Sequence, residues 1–359
     1  PYNKLLPTNL NFEKPFEGKN GQVIFRHKTS ETGLLKAYVN IANNQFALQT
    51  PNRLDVTQTT LLSMNSDNYF GQFSYQEVLG DRWSLFIASG LSKNEAQIDA
   101  DFGLNTEEYA IQSKTRLTYD WNDHIVLKMG GEFIHSNWEE RFTNERATTF
   151  NSQVKENFSA AFTEADIYFT RKLVARAGIR AEHSSFLNEN NIAPRLSIAY
   201  QLGKNEQVSL AAGQFYQTPE NELLRYHNQV NFERANHYIL NYQIEKNQRT
   251  FRAELYYKDY DNLVKFDAAN PWLNDNTGSG YARGVDIFYR DKASIKYGDF
   301  WISYSYLDTE RNCRDFPYAA APHFASKHNV SAVYKHFLAD LNSVLGVTYA
   351  YGSPRPYHN

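Results

Sequence analysis

The sequence predicts an all-β chain, an antiparallel transmembrane β-barrel with about 16 strands present, and three observations carry that expectation. Hydropathy alternates with a period of two in segment after segment, as it does in strands with one apolar and one wet face. Aromatic residues are abundant, with 25 Tyr, 24 Phe and 5 Trp against 2 Met and 1 Cys, while mean hydropathy is negative. Connections between the alternating segments are short and long by turns. Aromatic girdles, a polar interior, short turns on one rim and long loops on the other belong to an outer-membrane barrel. A soluble all-β binding protein shares the alternation and the Tyr content, with its apolar faces turned inward.

The pattern is clearest between Leu173 and Leu202. Leu173, Ala175, Ala177, Ile179 and Ala181 are apolar, while Arg176, Arg180 and Glu182 fall on the other face. In the next segment Ile192, Pro194, Leu196, Ile198, Tyr200 and Leu202 alternate with Ala193, Arg195, Ser197, Ala199 and Gln201.

Taken in order, residues 1 to 20 read as an irregular loop, with Pro1, Pro7 and Pro15. Strands are expected at Gln22 to Lys28, Leu34 to about Gln49, Asp67 to Leu79, Arg82 to about Ala100, Glu108 to Asp120 and His124 to Glu140. Asn157 to Phe169, Leu173 to Ser184, Ile192 to Leu202, Gln207 to Tyr216 and Ala235 to Ile244 follow. The last five are Thr250 to Phe266, Ala282 to Arg290, Phe300 to Asp308, His328 to Phe337 and Asn342 to Tyr351. Short turns are expected at 30–32, 80–81, 121–123, 170–172, 203–206, 245–249 and 338–340, and long loops at about 50–66, 141–156, 217–234, 267–281 and 309–327.

The formal charge of −3 indicates no general attraction to nucleic acid or anionic lipid. Cys313 stands alone, which excludes an internal disulfide and a cysteine metal cage. No apolar run is long enough for a transmembrane helix, so a closed barrel is the one way to span a bilayer. There is no signal peptide at Pro1, so a membrane barrel would have had its start removed. His323 and His328, or Glu132 and His135, lack the spacing of a known metal motif, and no resident cofactor is expected. Glu182 and His183 point to opposite strand faces and cannot work as an acid and base pair. With no nucleophile elbow, phosphate loop or paired-carboxylate site, no catalytic residue is assigned and no enzyme is expected.

Seven stretches resemble the β-barrel of TonB-dependent outer-membrane receptors, most closely those of Bacteroidetes. They are Ala177 to Ser184, Ala193 to Ser197, Gly213 to Pro219, Phe232 to Tyr238, Tyr256 to Leu263, Gly280 to Asp286 and Gly352 to Tyr357, in family order. The resemblance implies a 22-stranded barrel, of which residues 1–359 are an internal segment, with the N-terminal plug and three strands at each end missing. It implies a receptor of the Gram-negative outer membrane that binds a scarce solute at extracellular loops and imports it by TonB-driven plug movement. Iron-siderophore, haem and other nutrient cargoes stay open. The partners implied are TonB through the missing N-terminal segment, the imported solute or metal chelate, and membrane lipid with lipopolysaccharide. An outer-membrane lipoprotein is a further candidate. The rival readings are a passive porin-like channel and a soluble all-β binding protein.

Two residue sets follow. Lys114, Arg116, Lys128, Glu132, Arg176, Arg180, Glu182, Arg195, Arg252, Glu254, Asp286 and Arg290 lie on the polar strand faces and would line the lumen. By resemblance they would hold the plug; any water-filled barrel interior is also polar. On the lipid side such charges would cost about 2–4 kcal/mol each at the bilayer midplane. The long loops offer Arg225, Tyr226, His227, Asp267, Trp272 and Asp275 as candidate ligand contacts, since aromatic and charged residues together suit a polar solute.

Overall fold

The computed structural model describes residues 11–52, 58–225, 230–267, 269–270 and 272–356. Sixteen strands, antiparallel in every register determined, follow one another in the sheet in chain order. The first eight are β1 (Asn11–Lys28), β2 (Leu34–Pro51), β3 (Thr59–Leu79), β4 (Trp83–Asp99), β5 (Gly103–Asn122), β6 (Ile125–Thr143), β7 (Thr149–Tyr168) and β8 (Leu173–Ser184). After β9 (Glu189–Gly203) and β10 (Glu206–Gln217) comes a single helical turn, α1 (Asn221–Leu224). Then come β11 (Glu233–Lys246), β12 (Arg249–Phe266), β13 (Asn274–Asp291), β14 (Gly298–Asn312), β15 (His328–Leu338) and β16 (Ser343–Gly352).

The chain forms two units. The first comprises Pro1–Tyr119, Lys128–Ala161 and Glu182–Asn188; the second comprises Asp120–Leu127, Phe162–Ala181 and Glu189–Asn359. Each contains an uninterrupted run of paired strands, β1 to β5 in the first and β9 to β16 in the second.

The two faces of these strands are sorted opposite to those of a soluble core. Along β9 the apolar Ile192, Leu196, Ile198, Tyr200 and Leu202 are exposed, while Asn191, Ala193, Arg195, Ser197, Ala199 and Gln201 between them are buried or half-buried. Leu210, Leu240 and Leu255 continue the exposed apolar face across β10, β11 and β12. In the first unit Val23, Phe25, Val39, Ile41, Phe73 and Leu91 do the same. Large apolar side chains turned outward in cross-strand register are stable only against hydrocarbon.

Several expected strand ends fall short. β1 begins at Asn11, which overturns the irregular reading of residues 11–20; β3 begins at Thr59, β7 at Thr149 and β13 at Asn274, and β14 runs on to Asn312. All these extensions lie at the long-loop end, where apolar and polar residues no longer alternate cleanly, as at the adjacent Leu61 and Leu62 of β3, and the period that reveals a strand is lost. Side chains bind the outward face there instead. Asn43 donates to Asp67 at 2.8 Å, Lys93 pairs with Glu95 at 2.5 Å and Glu107 at 3.0 Å, and Gln153 donates to Glu139 at 2.7 Å. Pro15 fits in β1 because that strand has one hydrogen-bonded neighbour and a register shift at this point. β2 thus runs to Pro51 and β3 starts at Thr59, both inside the loop expected at 50–66; β6 runs to Thr143 and β7 starts at Thr149, inside that expected at 141–156; and the connections at 100–102 and 185–188 on the same rim are tight turns.

Turn chemistry fixes the short rim. Gly80 has φ +66°, and Asn247 and Gln248 both have positive φ between the paired Lys246 and Arg249, the geometry of a two-residue hairpin loop.

Candidate functional site

The polar strand face and the long-loop end carry the candidate residues, and each is built from register. Directly opposed residues of an antiparallel pair share a face. Within the second unit Arg195 stands opposite Gly213, Gly213 opposite His237 and His237 opposite Lys258. The Arg195 guanidinium lies 4.5 Å from the centre of the Phe215 ring, and the missing Cβ of Gly213 leaves room for the arginine stem. Arg252 donates to Glu254 at 2.8 Å, Glu254 accepts from Asn241 at 3.2 Å, and Asp286 is opposite Glu254. Arg252, Glu254 and Asp286 line a groove of about 440 Å³ with Phe288, Ser303 and Ser305. Arg290 forms a fork on Asp299 at 2.6 and 2.9 Å and covers Trp301. Arg176 grips the buried Asp166 in the same two-toothed way at 2.5 and 3.1 Å, and Arg180 is half-buried farther along β8.

In the first unit Lys114 is ion-paired to Glu132, Arg116 lies over Phe86 at 5.4 Å, Lys128 is half-buried and Glu182 is buried. The polar-face residues expected from the sequence thus lie opposite the exposed apolar face in both units. Asp166 and Asp299, which hold two of the arginines, went unnoticed because nothing in their spacing marks them.

The long-loop end of the second unit is a locked cluster. Leu224, Val230, Phe232, Leu263 and Val264 are buried, Phe232 to 2% exposure. The Phe232 amide donates to Glu189 at 3.0 Å and the Val264 amide to Glu233 at 3.0 Å. The Arg314 amide donates to the Val264 carbonyl at 2.6 Å, and its guanidinium reaches Glu220 at 2.7 Å. Asn276 accepts from the Asn231 amide and donates to the carbonyls of Asn231 and Asn262. Burial pushes the Glu233 carboxyl above its ordinary value, and it also pushes up the half-buried Cys313 thiol.

The loop residues expected to meet a ligand divide. The Asp267 carboxylate accepts from the Ala269 and Asn270 amides, and that of Asp275 accepts from the Thr277 hydroxyl and amide. These bonds hold the Asp275 carboxyl below its ordinary value, and both carboxylates serve their own turns. Trp272 is exposed, Arg225 is half-buried at the end of α1, and Tyr226 and His227 lie outside the described residues. Glu189, Asn276 and Arg314 were not singled out from the sequence, and Glu233 entered only within the Phe232 to Tyr238 stretch. They come from four separate segments, and no linear spacing joins them. Among the described residues no group of three or more His, Cys, Asp or Glu side chains could hold a metal ion.

A family model described as TonB dependent receptor-like, beta-barrel, matches residues 7–359. No curated protein matches the sequence. Among solved structures, the ferric yersiniabactin uptake receptor of Yersinia pestis superposes with a TM-score of 0.70 at 12% identity, over 93% of this chain and 58% of that one. The alcaligin outer-membrane receptor of Bordetella pertussis gives 0.70 at 11%, over 94% and 61%. A siderophore receptor of Acinetobacter baumannii gives 0.65 at 9%, over 95% and 68%. At these identities the likeness is one of fold, and the chain spans about three-fifths of the first two.

Proposed function

We propose that this chain, which belongs to the family of TonB dependent receptor-like β-barrels and to the outer membrane, is the wall of an energy-coupled importer for a scarce metal chelate of the siderophore kind. The observation that carries the membrane part of the reading is the inverted sorting of β9, with apolar side chains exposed and small or polar ones turned away. The cargo part is supported by three receptors of the same fold, named for yersiniabactin, alcaligin and siderophores. The polar face, with Arg195, Lys258 and the groove at Arg252, Glu254 and Asp286, would give a polar solute hydrogen-bonding partners along its path. TonB supplies the work in this reading, acting on a plug. The seven motifs favour receptors of the Bacteroidetes type.

Radioactive iron uptake by cells with and without the full-length gene, across a panel of iron chelates, tests it. Uptake of one chelate that disappears on deletion and on collapse of the inner-membrane proton gradient is expected. Solute entry that survives collapse of the gradient would instead mean a passive channel. Growth on iron chelates unchanged by deletion, with loss of an oligosaccharide or peptide substrate, would retire the siderophore reading alone.

A further inference from the structure

The β12 ladder breaks where the long-loop cluster is tied together. Tyr260 stands opposite Gly280, Leu263 opposite Gly278 and Lys265 opposite Asp275, so β12 bulges at Asn262 and Val264 has no opposite number in β13. Asn262 takes φ +56°, and its carbonyl accepts from the Asn276 side chain at 2.7 Å. Freed from the ladder, the buried Val264 turns its backbone to two other segments. Its amide donates to the Glu233 carboxyl at 3.0 Å, and its carbonyl accepts from the Arg314 amide at 2.6 Å. The Arg314 carbonyl accepts from the Phe266 amide at 3.0 Å, which makes 313–315 a strap lying parallel to the end of β12. The Arg314 guanidinium ties this strap to Glu220, at the start of α1.

Glu233 is the weak member of the arrangement. A carboxylate can accept about four hydrogen bonds, and this one receives the Val264 amide alone, beside the buried Leu263 and Val264. The charged groups around it are engaged elsewhere. Arg314 is on Glu220, Arg311 lies over Tyr260 at 4.5 Å and Phe324 at 5.6 Å, Lys265 donates to Asn312, and Glu189 accepts from the Phe232 amide. Arg234, its chain neighbour, pairs with Asp261. Cys313, Asp315 and Glu220 complete the titratable set, and Glu220 adds a like charge.

We infer that Glu233 is a proton-operated latch on the long-loop end: neutral, it fits beneath the strap and α1, and ionised, it releases them to reach water. A buried carboxylate without compensating donors either keeps its proton or is driven to solvent, and burial pushes the Glu233 carboxyl above its ordinary value. Its folded value stands above the unfolded one, so closure is complete below the ordinary carboxylate range and fades as pH rises through the raised value. Glu233, Val264 and Arg314 form a continuous chain of bonds, and release at one end loosens the strap at the other. The long-loop end is thus closed in acid and open in neutral medium. The latch holds for any cargo and goes beyond the import reading.

Cys313 reports on the strap, since its half-buried thiol adjoins Arg314. In outer membranes that carry the full-length receptor, a neutral maleimide alkylates Cys313 at a rate read by mass spectrometry of its peptide and divided by the rate of a free thiol at the same pH. The quotient should rise about ten-fold between about pH 4 and about pH 8, as linkage to one buried carboxyl requires. Glu233→Gln should hold it at the low-pH level throughout. Glu220→Gln removes a like charge, so the rise should survive and move to lower pH. Glu220 is half-exposed, and its variant should still shift on heating as folded barrels do, so it reads the latch even where E233Q does not fold. A flat quotient in the native protein, a rise that persists in E233Q, or an E220Q midpoint that stays or moves to higher pH overturns the inference.

Discussion

The polar faces of the two units obey the same alternation and reach opposite electrostatic ends. In the second unit the strand arginines are answered on the wall itself, Arg290 by Asp299, Arg252 by Glu254 and Arg176 by Asp166. In the first unit Arg26, Lys28 and Lys36 have no carboxylate in salt-bridge reach among the described residues, Arg116 lies over the Phe86 ring, and Lys114 is paired with Glu132. A period of two decides which way a side chain points and leaves its charge unspecified. Pairing along the strands neutralises the arginines of one unit, and the other keeps cations without a carboxylate beside them.

The contrast breaks most visibly at the loop cluster of the second unit, since the described residues of β1 to β5 show no comparable group of buried apolar side chains. Phe232→Ala empties the most buried aromatic site there and should cost about 3–5 kcal/mol locally. Amide exchange should accelerate at Phe232 and Val264 and stay unchanged in β1 to β5; acceleration in both places would mean that the cluster stabilises more than its own unit. Next in size is the membrane face that the units share. Phe73→Arg in the first and Ile198→Arg in the second should each cost about 2–4 kcal/mol and reduce the heat-modifiable folded band, while Ser197→Arg on the polar face of β9 should be tolerated. If only one unit responds, the claim that both turn an apolar face to lipid fails for the other.

A pH effect sharpens the comparison further. The folded cluster favours protonated Glu233, because burial raises its carboxyl above the unfolded value. The stabilisation is therefore full below the ordinary carboxylate range and is lost as pH rises through the raised value. Exchange at the Val264 amide, corrected for its intrinsic pH dependence, should increase over that window, and Glu233→Gln should flatten the profile. Smallest of all is Glu220→Gln, which removes the half-exposed partner of Arg314 and should cost about 0–1 kcal/mol in the same assay.

What could be read in advance follows the same physics. β8 was expected at Leu173 to Ser184 and lies there, because its apolar side chains meet hydrocarbon along most of its length. β3 and β7 were expected eight residues too short at their starts, because the alternation breaks there, Leu61 and Leu62 standing side by side in β3 and Phe150 and Val154 set among polar residues in β7. The turns at Asp267 and Asp275 were visible as Asp-rich loop sequence, yet the same residue type serves a ligand or its own backbone, and only geometry separates the two uses. The lock around Glu233 could not be seen, since its partners at 189, 264, 276 and 314 meet only after folding.

The polar extension of β4 past Leu91 has a consequence for the life of the protein at the cell surface. From Lys93 to Asp99 every residue is paired in register with β3 and β5, and the outward side chains bind one another rather than water alone. A protease needs an unpaired strand of about its own active-site length to thread, and this stretch offers none. Digestion of intact cells should therefore leave the β4 stem whole.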